Sequence, residues 1–157
     1  MIKITYYVHG TTTDNEKGLS TGWSPGELSE LGIQQSKDLS ELIKNKNFDA
    51  VFCSDLKRAI DSANLVFDNK YKIIQNKKLR EANYGDLNEK PENEVSYKDH
   101  IENSFPNGES MRDVEKRINE FLKFLKQNYN SKNVAILAHK APQLALDVVL
   151  KKKTWTE

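Results

Sequence analysis

The stretch Ile2-Lys3-Ile4-Thr5-Tyr6-Tyr7-Val8-His9-Gly10-Thr11-Thr12 decides the fold. Its first seven residues are mostly apolar, β-branched or aromatic, the composition of a buried strand. The run then breaks at a histidine, a glycine and a cluster of hydroxyls. A strand that stops in this way carries its imidazole to the carboxyl edge of a sheet, where open α/β sheets bind ligands. A second segment repeats the pattern: Val134 to Ala138 is an apolar strand that ends in His139.

Between these two strands, patterns of period 2 alternate with patterns of period 3.6. Thr13 to Gly26 reads as a polar loop with Trp23 in its middle. Ser29 then caps a helix with Leu31, Leu39, Leu42 and Ile43 as its apolar stripe, and Leu28 and Ile33 as a staple pair. Ala50-Val51-Phe52-Cys53 is a strand, followed by Ser54-Asp55 and a helix whose face is Leu56, Ile60, Ala63 and Phe67. Arg58 falls in that helix's first turn, off the stripe, where helix N-termini favour anions. Tyr71 to Ile74 reads as a third, lysine-flanked strand. Asn83 to Gly108, interrupted by Pro91 and Pro106, is a polar excursion with one weak helix. From Glu109 a strong helix returns on Val114, Ile118, Phe121, Leu122 and Leu125. A last helix follows His139, with Pro142 in its first turn. The expectation is one α/β domain over residues 1–157, a three-layer αβα sandwich with a mostly parallel central sheet. One edge of that sheet gathers His9, Arg58, His139 and Glu81.

Composition narrows the function classes. Lys plus Arg is 24 against 23 Asp plus Glu, so the charge balance points to neither a nucleic-acid nor a membrane partner. Only Arg58, Arg80, Arg112 and Arg117 are arginines, the residue type best shaped to hold phosphate or carboxylate. Cys53 is the single cysteine, which agrees with a reducing compartment. Lys3 interrupts the opening apolar run and no leader pattern follows, so a soluble, cytoplasmic protein is expected.

Taken together, these segments resemble the histidine phosphatase superfamily, in its phosphoglycerate mutase-like branch. His9-Gly10-Thr11 with Asn15 is similar to the family's nucleophile segment. Gly22-Trp23-Ser24 through Leu28-Ser29-Glu30-Leu31-Gly32 resembles the loop and helix behind it. Cys53-Ser54-Asp55-Leu56-Lys57-Arg58-Ala59 is similar to the segment with a phosphate-binding arginine. Leu79-Arg80-Glu81 with Gly85-Asp86 resembles the segment of the proton donor, and Phe105-Pro106-Asn107-Gly108-Glu109-Ser110 the start of the penultimate long helix. The resemblance implies that His9 is a nucleophile and Glu81 the acid and base. It makes Arg58, His139, Asn15 and Gly10 the phosphate-binding set, with no cofactor and no metal. Its partner would be a small phosphorylated metabolite; the oligomeric state stays open.

Two departures bear on activity. Val8 stands where the family has arginine, either as a β-former continuing the strand or as a lost cation. Lys140 stands where the family has glycine, either as a compensating phosphate ligand or as a solvated lysine. The family also continues beyond the last helix into a further strand and tail, whereas this sequence stops at Thr154-Trp155-Thr156-Glu157. That leaves a minimal variant or a truncated one, with a sheet edge that could favour association. The implied activity is phosphatase, the alternatives a mutase or a binder without turnover. Among the remaining residues, His100, Arg112 and Arg117 read as surface or helix-pair groups. Tyr97, Asn83 and Asn88 are candidates for the pocket roof, and Trp23 is a pocket wall or a core anchor.

Overall fold

A computed structural model describes residues 1–67 and 69–156. In chain order it contains β1 (Lys3–Val8), α1 (Thr13–Glu16), β2 (Leu19–Ser20), α2 (Glu30–Ile43), β3 (Ala50–Cys53), α3 (Lys57–Phe67), β4 (Ile73–Gln75), β5 (Lys90–Pro91), α4 (Met111–Asn128), β6 (Asn133–Ala138) and α5 (Lys140–Lys151). The main sheet is parallel, in the order β1-β6-β3-β4. Helices cover both faces. Alternation in the two inner strands sends Phe52, Val134, Ile136 and Ala138 toward a core with Ile118, Phe121, Leu125 and Ala145. Val51, Cys53, Ala135 and Leu137 point the other way, into a core with Ala59, Ala63, Val66 and Phe67. Every residue named here is buried, as expected for strands covered on both sides. No helix among the described residues is long and apolar enough to cross a membrane.

Several local expectations are revised. The polar stretch after His9 contains the one-turn helix α1, closed by a reciprocal cap between Thr12 and Asn15. It also contains β2, which pairs antiparallel with β5 from the excursion. The excursion holds three short 3₁₀ turns, at Gly85–Leu87, Glu92–Glu94 and Lys98–His100, in place of one weak helix. The apolar stripe of α2 is only half buried: Ile43 is buried and Leu39 packs against the same core, whereas Leu42 is 79% exposed and Leu31 is also exposed. The helix also buries Gly32 and Ser36. Gly32 lies against the Gly10–Thr11 backbone so closely that a Cβ there would collide with the Thr11 carbonyl. Contact with the Gly10–Thr11 backbone fixes where the start of α2 sits.

Candidate active site

β1 and β6 are neighbours with Val8 opposite Ala138, so His9 and His139 emerge side by side. Their rings lie 5.1 Å apart between centroids, at 61°. His9 Nδ1 lies 2.7 Å from the Gly10 carbonyl oxygen. A carbonyl can only accept, so Nδ1 carries the proton and Nε2 keeps a free lone pair. Burial, then the charge of Arg58, lowers the His9 pKa from 6.5 to about 4, so the ring is neutral at neutral pH. Behind it, the Gly10 N–H donates to Ser62 Oγ at 3.0 Å.

His139 has the opposite character. It is 0% exposed, and among the described residues neither ring nitrogen has a hydrogen-bond partner. Its backbone is well satisfied: the Tyr6 hydroxyl donates to its carbonyl at 2.6 Å and accepts from its N–H at 3.1 Å. Burial holds its pKa well below the usual imidazole value, reinforced by Arg58, His9 and Arg117. A buried imidazole with two orphaned nitrogens costs free energy, ~1–3 kcal/mol for each unsatisfied group. Structure elsewhere supports that cost, as it does at many functional sites.

Arg58 is expected off the apolar stripe of α3, yet it is buried at 2% exposure. Its Nη1 donates to the Ser24 carbonyl at 3.0 Å and Nη2 to the Gly22 carbonyl at 2.7 Å. Gly22 adopts φ +57°, a left-handed conformation that suits glycine. These two bonds fix the guanidinium plane and leave further N–H donors for a ligand.

Glu81 is buried against the start of α5. Its Oε1 accepts from the N–H groups of Ala82 (2.9 Å) and Ala141 (3.1 Å), with the Tyr97 hydroxyl at 3.4 Å. All three donors crowd one oxygen, so a proton on this carboxyl resides on Oε2. Burial raises the pKa, against the opposing pull of those N–H groups, Arg58 and Arg117.

A cavity of about 700 Å³ opens over this edge, lined by His9, Arg58, Glu81 and Asn15. Asn15 spends Oδ1 on the cap to Thr12, leaving its amide nitrogen to the cavity. Val8 lines it too and is 42% exposed, so its side chain faces the ligand space and is not packed in an apolar layer. Lys140 contributes the outer wall beside Tyr97. His139 does not line the cavity; its ring stands beside that of His9. Among the described residues no three His, Cys, Asp or Glu side chains converge as metal ligands do.

The sequence reading missed how Glu81 is held. Arg117, expected at the surface, has a side chain only 13% exposed and in an ion pair with Glu109 at 2.9 Å. Its guanidinium donates to the carbonyls of Lys78 and Arg80, both at 2.7 Å, and of Glu81 at 3.0 Å. Glu109 in turn accepts from the Asn83 N–H at 2.9 Å. Trp23 is neither pocket wall nor core anchor: its Nε1 donates to the Glu81 carbonyl at 2.7 Å, with Arg80 over its ring. The Glu81 backbone is therefore held from behind by two side chains, Trp23 and Arg117, the latter braced by Glu109. Asn83 and Asn88 bond loop backbone and each other rather than lining the cavity, whereas Tyr97 does line it. Arg112 is a surface group paired with Glu102 and Glu115, and His100 stacks on Phe105.

Comparisons with known proteins agree with this geometry. The chain is 30% identical over 142 residues to the adenosylcobalamin/alpha-ribazole phosphatase of Escherichia coli K12, covering 83% of this chain and 70% of that one. It is 36% identical over 102 residues to a 2,3-bisphosphoglycerate-dependent phosphoglycerate mutase of Streptococcus uberis, covering 61% of this chain and 44% of the mutase. The YhfR structure from Bacillus stearothermophilus superposes with a TM-score of 0.88 at 23% identity, over 100% of this chain and 85% of that one; this similarity concerns the fold. Residues 7–151 match the model of branch 1 of the histidine phosphatase superfamily, and the chain belongs to that superfamily.

Proposed function

We propose that this chain is a metal-independent phosphatase that hydrolyses a small phosphomonoester through a phosphohistidine on His9. Family membership and the phosphatase relatives support phosphatase activity in general. The observation that carries the finer reading is the His9–Gly10 hydrogen bond, which leaves Nε2 unprotonated at the cavity beside a buried, pKa-raised Glu81. In the first step the Nε2 lone pair attacks phosphorus in line and the ester P–O bond breaks. The Glu81 proton passes from Oε2 to the departing alkoxide, which leaves as the alcohol. In the second step Glu81, now a carboxylate, takes a proton from water as that water attacks phosphorus. The N–P bond breaks, phosphate leaves, and both residues return to their starting forms. Arg58 holds the equatorial oxygens, Asn15 and the Gly10 segment contact them from the loop, and His139, sealed beside His9, backs the attacking ring. We place the reaction in the cytoplasm on a small phosphorylated metabolite.

The exposure of Val8 toward the cavity favours one other reading, a family member that binds phosphorylated ligands without turnover. A mutase reaction would return the phosphoryl group to substrate, which calls for more cover than the Asn83–Gly108 excursion provides. A panel of phosphate esters assayed with and without EDTA decides between these. Turnover indifferent to EDTA is the expected result; binding without turnover of any ester selects the alternative.

A further inference from the structure

Lys140 is a cation without an obvious return from the fold. It occupies the first position of α5, at the positive end of the helix dipole, where a cation is disfavoured. Its side chain is exposed on the cavity wall. Nζ sits 5.9 Å from the centre of the Tyr97 ring, and no carboxylate among the described residues pairs with it. Lys57, Lys78 and Lys151, by contrast, are matched with carboxylates. Tyr97 locates this ammonium in the reaction. Its hydroxyl reaches Glu81 Oε1 at 3.4 Å, and Glu81 is the group that meets the departing alcohol. Lys140 therefore borders the space of the leaving group, on the side of the cavity marked by Tyr97. Among the described residues no ion pair joins it to either cavity acid, and the Glu81 carboxylate is bonded to backbone N–H groups.

We infer that Lys140 recognises a second anionic group carried on the alcohol portion of the substrate, so that preferred substrates are phosphomonoesters bearing a further acid. This rests on the phosphatase reading above and adds a substrate class to it. An anion there gains a charge-assisted contact with Nζ and the favourable end of the α5 dipole together. The cavity, far larger than one phosphate, has room for both groups.

The test uses three esters of similar size: ethyl phosphate, phosphoglycolate and ethylene glycol bisphosphate. Wild-type kcat/KM should favour one or both acid-bearing esters over ethyl phosphate by about tenfold. A preference for the carboxylate or for the second phosphate identifies which anion is read. In Lys140→Gln the ratio of acid-bearing to neutral ester should fall to near one, and in Lys140→Arg it should persist. An unchanged ratio in Lys140→Gln, or an equal loss on all three esters, overturns the inference while leaving the phosphatase reading intact. Calorimetric binding of the same three compounds to His9→Ala gives an independent readout. If no ester is turned over by the wild type, the phosphatase reading fails, and the binding ratio alone upholds or rejects the role of Lys140.

Discussion

Two parallel neighbouring strands end in histidine at the same edge, and their ends behave in opposite ways. After β1, His9 has its Nδ1 committed to the Gly10 carbonyl, opens onto the cavity, and follows an exposed Val8. After β6, His139 is sealed in, with both ring nitrogens unpartnered among the described residues, and follows a buried Ala138. Strand position explains the difference. β1 is the outer strand of the sheet, whereas β6 lies between β1 and β3 and is covered on all sides. The same sequence signal thus yields a cavity-facing imidazole with a defined tautomer at the edge, and a sealed imidazole in the interior.

The largest expected effect breaks this comparison outright. His9→Ala should lower ester hydrolysis by ~10⁴-fold or more while changing stability by less than about 1 kcal/mol, because no covalent intermediate can form. Near wild-type turnover in single-turnover assays would remove His9 from the nucleophile role. Next comes Glu81, which sits against the β6 end through the Ala141 N–H. Glu81→Gln should cost alkyl esters ~10²–10⁴-fold and activated aryl phosphates far less, since aryl leaving groups need no proton. Equal losses on both would assign Glu81 a structural role.

His139→Leu separates the two histidines by stability. Replacing a buried, unpartnered imidazole with an apolar side chain should cost ~10²-fold in turnover yet raise stability by about 1 kcal/mol in phosphate-free buffer. Thermal melts with and without phosphate check this. A destabilised His139→Leu protein would mean the ring nitrogens are satisfied in solution by bound water.

Acid pH sharpens the same contrast. His9 in the folded chain titrates near 4, against 6.5 ordinarily, so between those values the unfolded chain takes up the extra proton. Stability contributed by the neutral ring is therefore present above 6.5 and lost as pH falls toward 4. His139 is shifted in the same direction. Glu81, raised by burial, works the other way, its contribution being lost as pH rises. Denaturant titrations at pH 7 and pH 4.5 should differ by ~2 kcal/mol, less in His9→Asn. An equal difference in that variant would show that His9 does not carry the dependence.

How much of this was legible in sequence follows from which forces were local. Strand ends, helix caps and the parallel sheet are written in periodicity and in residues such as Ser29, whose cap forms as expected. The positions of His9, Arg58, Glu81 and His139 at one edge followed from that pattern. Orientation did not. Arg117 reads as a surface residue from its helix spacing, and only tertiary folding brings the carbonyls of Lys78, Arg80 and Glu81 to its guanidinium. Leu31 and Leu42 read as core, but the close approach of Gly32 to the Gly10–Thr11 backbone turns α2 so that they face solvent. The pairing of β2 with β5 rests on two residues from each strand, too short for any periodic signal.

The smallest expected effect concerns Val8, at the exposed β1 end, where the sequence pattern leads us to expect an arginine. Because Val8 already faces the cavity at 42% exposure, Val8→Arg adds a guanidinium to ligand space without displacing core. Vanadate, a mimic of the transferring phosphoryl group, should bind about tenfold more tightly to this variant, the worth of ~1.4 kcal/mol of charge-assisted hydrogen bonding. The companion measurement repeats this in Lys140→Gly. If Lys140 reads the leaving group, as inferred above, the two substitutions act on separate ligand atoms, and the gain from Val8→Arg should be the same in both backgrounds. If the gain is small with Lys140 present and grows when it is removed, the two cations compete for one phosphate. The β6 end would then have taken over the charge that the β1 end gave up, and Lys140 would belong to phosphate binding instead. Weaker vanadate binding together with a lowered melting temperature would show a pocket rebuilt around the valine, and the phosphoryl-transfer role proposed for this edge would have to be withdrawn.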